Sequence, residues 1–278
     1  MVTNYELRRK AHKALKPCFP IVLLVALIAA LPSLLSQLLV IMTDSSYLLY
    51  LLELSAATDS VLYTGTTAQL TESLMTFMQD KGWINIIAEV LAYAVMPVLQ
   101  LGLLNCLLIV LRGGEASVNL AFSRVNCFLR SLGLMLLTLG KMLLWTLPGM
   151  AVSLAGGLLI TSSPDLGLAL TFGGSILTIV LSIRATYAYA MATLVQADLP
   201  STRARDCIAR SKQIMLGKRM QLFRLELLYI GWTLLANLVT MSLSGVIGST
   251  ISMVLQLVIS VYMTAARCSF YEHHSKAA

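Results

Sequence analysis

Residues Trp83 to Leu111 read WINIIAEVLAYAVMPVLQLGLLNCLLIVL, and this stretch decides the fold. Only one charged side chain, Glu89, interrupts the 29 residues. As a helix rising about 1.5 Å per residue, it outreaches a hydrocarbon core of about 30 Å. No polar face runs along it, so water is excluded as its surroundings.

Further apolar blocks flank it on both sides. The sequence predicts spans at about 18–42, 83–111, 132–160, 166–197, 220–240 and 246–267. The whole chain is 58% hydrophobic and 12% charged, against about 25% charged in soluble domains. The expectation is a single all-α domain over 1–278, a polytopic membrane bundle of about six spans.

The start resembles a secretory signal, with a basic segment before an apolar run. That run continues past Pro32, too far for a signal core, and is read as a retained first span. Thr3 and Glu6 have the spacing of a capping box for a short basic helix ahead of it. Residues 43–82 form an acidic-leaning loop holding Asp44, Glu53, Asp59, Glu72 and Asp80 against Lys81. Within the loop, Thr66 and Gln69 precede Leu70, Leu74, Phe77 and Met78 at helical spacing, which predicts a surface helix.

Net charge is +7, and its placement gives orientation. Arg8, Arg9, Lys10, Lys13 and Lys16 precede the first span. Arg112, Arg124 and Arg130 follow the second; Arg203, Arg205, Arg210, Lys212, Lys218 and Arg219 precede the fifth; Arg267 and Lys276 follow the sixth. The positive-inside rule puts these segments, and both termini, in the cytoplasm. The expected location is the cell (cytoplasmic) membrane. The basic balance serves topology, and no soluble module suggests nucleic acid. Cys18, Cys106, Cys127, Cys207 and Cys268 fall in the inner half, where a reducing compartment keeps them as thiols.

Three basic amphipathic segments, at about 3–16, 117–130 and 201–216, each precede a helical pair. They suggest a threefold repeat of surface helix plus hairpin. In the third, Ala204, Ile208, Ser211 and Met215 form the inner face; in the second, Val118, Ala121, Phe122 and Val125 do so. Such segments favour anionic lipid, and Arg8, Arg9, Lys13, Arg203, Arg205, Arg210 and Lys212 are the expected headgroup contacts.

The last third carries Ser211-Lys212, Met215, Gly217-Lys218, Leu222-Phe223, Leu225 and Ile230-Gly231-Trp232, then Tyr262, Ala265-Ala266 and Phe270-Tyr271-Glu272. Upstream stand Gly114-Glu115, Leu147-Pro148-Gly149, Tyr187 to Ala190, Asp198 and Pro200. Together these resemble an uncharacterised family of bacterial six-helix integral membrane proteins, distantly similar to the membrane domain of some glycerophosphodiester phosphodiesterases. The resemblance implies fold and topology and brings no activity with it. Within it, Gly217 is expected to take the left-handed conformation that ends one helix and redirects the chain.

Glu89, Lys141, Arg184 and Glu226 stand within the spans. Charges at such depth cost a few kcal/mol each unless paired or hydrated, about 2.5–3.5 kcal/mol on insertion scales. They are read as a buried-charge network or a solute path, and Glu226 is expected to pair with Lys141 or Arg184. Pro148-Gly149, Gly156-Gly157 and Gly173-Gly174 weaken the third and fourth spans, or simply let them pack closely. Ser244, Gly248, Ser252, Gln256, Ser260, Thr264 and Cys268 recur at intervals of four in the sixth, a packing stripe whose hydroxyls could bond across helices. His12, His273 and His274 lie outside the spans, the last two in an expected solvated tail. No zinc spacing, nucleophile elbow, Walker loop or dinucleotide fingerprint occurs. The expected function is therefore non-enzymatic, without cofactor or metal, acting through lipid or partner binding. The alternative is a small-solute or ion transporter with the four charges along its path.

Overall fold

The computed structural model describes residues 3–43, 83–160, 162–242 and 246–275. The expected surface helix at 66–78, and the loop around it, lie outside the described residues, as does the turn at 243–245. The described residues are helical and contain no strand. Helices are α1 (Asn4–Thr43), α2 (Trp83–Leu111), α3 (Phe128–Leu159), α4 (Pro164–Tyr189), α5 (Ala192–Asp198), α6 (Ala204–Ile214), α7 (Arg219–Ser242) and α8 (Val246–Ser275). Among the described residues, five stretches are long and apolar enough to cross a membrane: Asn4–Ser36, Ile86–Leu111, Val118–Leu159, Pro164–Asp198 and Ile251–Ser275. Helix α7 carries Arg219, Arg224 and Glu226 in its first third and a mostly apolar run after them.

The chain divides into two compact units, one of residues 1–27 and 98–278 and one of residues 28–97. In the second, the described parts are the end of α1 and the start of α2, where Ile86, Ile87, Val90 and Leu91 are exposed. The first holds the core. Leu7, Leu15, Leu107, Leu108, Ile208 and Phe270 are each nearly or fully removed from solvent. By contrast, α3 and α4 carry exposed Leu136, Leu143, Leu154, Leu166, Phe172 and Ile176 along their length. Such faces are stable against lipid and would not be against water.

Helices α3 and α4 pair antiparallel along nearly their whole length, and glycine sets the distance between them. A Cβ on Gly149 would meet the backbone of Thr178 at 2.6 Å, and one on Gly156 that of Thr171 at 2.5 Å. From the other side, Gly167 faces Ile160 and Gly174 faces Ser153. The small residues recur at steps of four and three, which keeps them on one seam of each helix. Ser153 Oγ donates across the seam to the Thr171 carbonyl at 3.3 Å. The two glycine pairs seen in the sequence therefore split: Gly156 and Gly174 face the seam, while Gly157 and Gly173 meet nothing within 4 Å. Neither helix is broken at them, and α3 runs on through Pro148. Their role is close packing, and no broken-helix site forms there.

Three expectations change. The basic segment before the first span is no separate helix, because α1 is continuous for 40 residues. The capping box does form: the Thr3 N–H donates to Glu6 Oε2 at 3.0 Å, and the Glu6 N–H to Thr3 Oγ1 at 3.4 Å. The second segment makes two short 3-10 turns, Val118–Phe122 and Val125–Cys127. Of its expected inner face only Ala121 is buried; its carbonyl lies where a side chain on Gly102 would stand. The third segment is a helix, α6, with Cys207, Ile208, Ser211, Ile214 and Met215 buried. The three segments thus differ in form, and the threefold repeat is not reproduced.

In α8 the expected stripe drifts off the interface. Ser252 and Cys268 are buried, whereas Gln256 and Ser260 are exposed. A four-residue step advances 40° beyond a full turn, so a strict interval of four cannot follow one contact. The hydroxyls of Ser260 and Thr264 donate to carbonyls of their own helix. Gln256 reaches across, donating to Asn237 Oδ1 of α7 at 2.9 Å.

The glycine seam yields a paired prediction. Gly156→Ala and Gly174→Ala each force backbone apart and are expected to cost about 1–3 kcal/mol. Gly157→Ala and Gly173→Ala meet open space and are expected to be neutral or stabilising by up to about 1 kcal/mol. Unfolding of the purified variants in mixed micelles measures the contrast; equal effects across the pairs would contradict the seam.

Candidate functional site

Three carboxylates gather the helices at the end of the first unit that carries most of the basic residues. Glu226 lies one turn beyond Leu222 on the inner face of α7, and its side chain is 5% exposed. Arg267 of α8 donates Nε to Glu226 Oε1 at 2.5 Å, and Tyr187 of α4 donates its hydroxyl to Oε2 at 3.0 Å. Both oxygens are thus engaged, by side chains from two other helices. The Tyr187 ring is held edge-on against Phe223, with centroids 5.8 Å apart. A desolvated carboxylate needs such partners, because burial penalises the charge that pairing restores.

Asp198, at the end of α5, accepts from Arg112 at 2.8 Å and from the Tyr271 hydroxyl at 3.2 Å. Arg112 stands just past α2, where Gly113 takes φ +87° and turns the chain. The bond from Asp198 raises the affinity of the Arg112 guanidinium for its proton. Glu272 of α8 pairs with Lys10 of α1 at 3.4 Å. The same end of α1 donates Asn4 Nδ2 to the Gln221 carbonyl at 3.1 Å and stacks His12 and Phe19 on the Tyr262 ring.

Two motif residues have local tasks. The Ser211 hydroxyl of α6 donates to the Ala188 carbonyl at 3.0 Å and accepts from the Met191 N–H at 3.2 Å. Both groups flank the break between α4 and α5, so one side chain satisfies the ends of two helices. Gly217 has φ +74°, the left-handed turn the sequence predicts between α6 and α7.

Among the described residues, Lys141, Arg184 and Glu226 form no ion pair with one another. Glu226 alone is buried; Glu89 and Arg184 are exposed and Lys141 is half-buried. The expected pairing of Glu226 with Lys141 or Arg184 is corrected to Arg267. The reason is length: α8 continues as helix to Ser275, which keeps Arg267 within the bundle beside α7. From sequence alone Arg267 is a topological charge after the last span. Arg224, two residues before Glu226, points the other way and is exposed.

The tail expectation changes for the same reason. His274 is buried in the last turn of α8, against the Phe270 ring at 4.3 Å, while His273 is exposed. Among the described residues no group of His, Cys, Asp and Glu could hold a metal ion. The cysteines are free thiols; Cys106, Cys207 and Cys268 are buried, and burial pushes the Cys207 thiol up from its ordinary value.

The basic residues expected at headgroups sit differently from the carboxylates. Arg9, Lys13, Arg203, Arg205, Arg210 and Lys212 are exposed, and none is in an ion pair among the described residues. Arg8 is half-buried and donates Nε to the Asn4 carbonyl.

A double-mutant cycle tests the corrected pairing. Glu226→Gln strands Arg267, and the expected loss is about 2–3 kcal/mol, below the range for fully buried pairs because Arg267 is 36% exposed. Adding Arg267→Gln recovers part of that loss; adding Arg184→Gln or Lys141→Gln recovers none. Recovery with Lys141→Gln or Arg184→Gln instead would reinstate the sequence expectation.

No curated protein matches the chain, and no solved structure matches it. The family described as "Protein of unknown function (DUF975)" matches residues 1–278. The match spans both units and every helix described above. The chain therefore belongs to the DUF975 family, a family of unknown function.

Proposed function

We propose that the protein is a non-enzymatic, multi-pass protein of a bacterial cytoplasmic membrane that acts by holding anionic lipid at its cytoplasmic face. In this reading α7 completes a six-span bundle, both termini are cytoplasmic, and the 43–82 loop is external. The likeness to the membrane domain of glycerophosphodiester phosphodiesterases belongs to the same reading, as a kinship of fold.

One observation carries it: the sorting of charge. The carboxylates of Glu226, Asp198 and Glu272 are engaged by Arg267, Arg112 and Lys10 within the molecule. The exposed cations Arg9, Lys13, Arg203, Arg205, Arg210 and Lys212 lack ion-pair partners among the described residues. Each such cation near an anionic leaflet contributes about 1 kcal/mol. The buried face of α6 also favours this use, since it fixes the helix against the protein and leaves Arg205, Arg210 and Lys212 exposed. The transport reading loses support, because Glu89 and Arg184 face outward and Glu226 is neutralised where it sits.

A lateral protein partner is the second reading. It is favoured by the Gln256–Asn237 pair, two amides exposed on the outer side of α7 and α8. Amides within a span are well served by a neighbouring helix.

Two outcomes are expected. Arg203→Gln, Arg205→Gln and Arg210→Gln together lower the affinity of the purified protein for phosphatidylglycerol by at least about tenfold, measured by lipid retention. Unchanged retention would leave these charges a topological role only. In a cysteine-free background, a cysteine at position 60 is labelled by an impermeant thiol reagent from outside, and one at position 201 only after the membrane is opened. The reverse pattern would invert the orientation.

A further inference from the structure

The aromatic contact between Trp145 and Tyr189 plays no part in the ion pairs. Trp145 Nε1 of α3 donates to Tyr189 Oη of α4 at 3.2 Å. Tyr189 is 5% exposed, and among the described residues its hydroxyl proton has no acceptor. A buried O–H that accepts without donating has half of its hydrogen-bonding capacity unspent.

Two lysines flank this pair from separate helices. Lys212 Nζ of α6 stands 5.4 Å from the centre of the Tyr189 ring. It is held there because its neighbour Ser211 is fixed between Ala188 and Met191. Lys141 lies one turn before Trp145 on α3, about 6 Å along the axis and on the same face. Neither ammonium is in an ion pair among the described residues. Trp145 and the adjacent Leu144 are exposed, and Leu144 continues into the apolar outer surface of α3.

Tyr189 ends α4, and lysines within a span extend their stems along apolar surface toward the headgroup level. We infer that Lys141, Trp145, Tyr189 and Lys212 form a seat for the phosphate of one anionic phospholipid, with its acyl chain along α3. The two ammonium groups neutralise the phosphate, and the Tyr189 hydroxyl supplies a directed donor. The seat rests on the lipid reading above, but it is a site of fixed composition. The charges of Arg203, Arg205 and Arg210 act instead through a diffuse field.

The experiment isolates Trp145. Trp83→Phe and Trp232→Phe leave it as the sole tryptophan. The full chain is reconstituted in phosphatidylcholine nanodiscs containing a minor fraction of dibrominated phosphatidylglycerol, or the same fraction of dibrominated phosphatidylcholine. Trp145 is expected to be quenched more strongly by the glycerol lipid. Lys141→Gln weakens that preference by about fivefold in lipid concentration, the contribution of one interfacial cation. Lys141→Arg keeps the preference and shows that the helix pair is intact. Substituting Arg203, Arg205 and Arg210 by Gln lowers total lipid retention and leaves the Trp145 contrast in place, so failure of the general reading and of the seat are separable. Equal quenching by the two lipids, or a Lys141→Gln protein like its parent, would overturn the seat. Loss of the contrast on adding inorganic phosphate alone would assign the site to free phosphate and overturn the lipid assignment.

Discussion

A carboxylate withdrawn from water needs a cation, and in this chain that need organises one end of the bundle. Glu226 brings α7 to Arg267 of α8 and Tyr187 of α4. Asp198 brings the end of α5 to Arg112 after α2 and to Tyr271 of α8. Glu272 brings α8 to Lys10 of α1. Each contact joins elements far apart in sequence, and together they consume acidic side chains at the end where basic ones are plentiful. The excess of positive charge that remains has nowhere to go but outward.

Packing within the hydrocarbon follows a separate rule. There is little hydrophobic gain when one apolar helix leaves lipid for another, so shape and small residues decide. The α3–α4 seam uses Gly149, Gly156, Gly167 and Gly174 for that purpose, with Ser153 and Thr171 bonding across it. The long exposed faces of these helices therefore carry no conflict with a stable fold. Polar organisation concentrates at the basic end, and that end is where the candidate functions lie.

Much of this was legible in the sequence. Length and apolarity placed α2 and α3 closely, because a helix that must cross lipid carries its own boundary marks, whereas the expected fourth span at 166–197 divides into α4 and α5. Thr3 with Glu6 and the lone Gly217 were readable because capping and left-handed turns are local. Ser211-Lys212 was visible as a motif, although its task depends on a helix break at 190–191 that only the fold reveals. Partner choice was not legible. Depth along a helix can be counted from sequence, but rotation between helices cannot, so Arg184 and Lys141, at similar depth, stand as the expected partners of Glu226. The length of α8 mattered as well: ending the span at Arg267 removed the one residue that pairs, and left His274 in an expected tail. The outward turn of Glu89 and Arg184 was hidden for the same reason.

In the proposed reading, internal pairing of Glu226, Asp198 and Glu272 leaves the exposed cations of this end free for anionic lipid. Its most direct test is the salt dependence of lipid retention by the unaltered protein, with phosphatidylglycerol and phosphatidylcholine supplied together. Ions screen exposed charges over a Debye length of about 10 Å at 0.1 M and about 3 Å at 1 M. Preference for phosphatidylglycerol is expected to be strong at low salt and to fall steeply as salt is raised, while the fold persists. A preference that is absent at low salt, or unchanged at high salt, would contradict it.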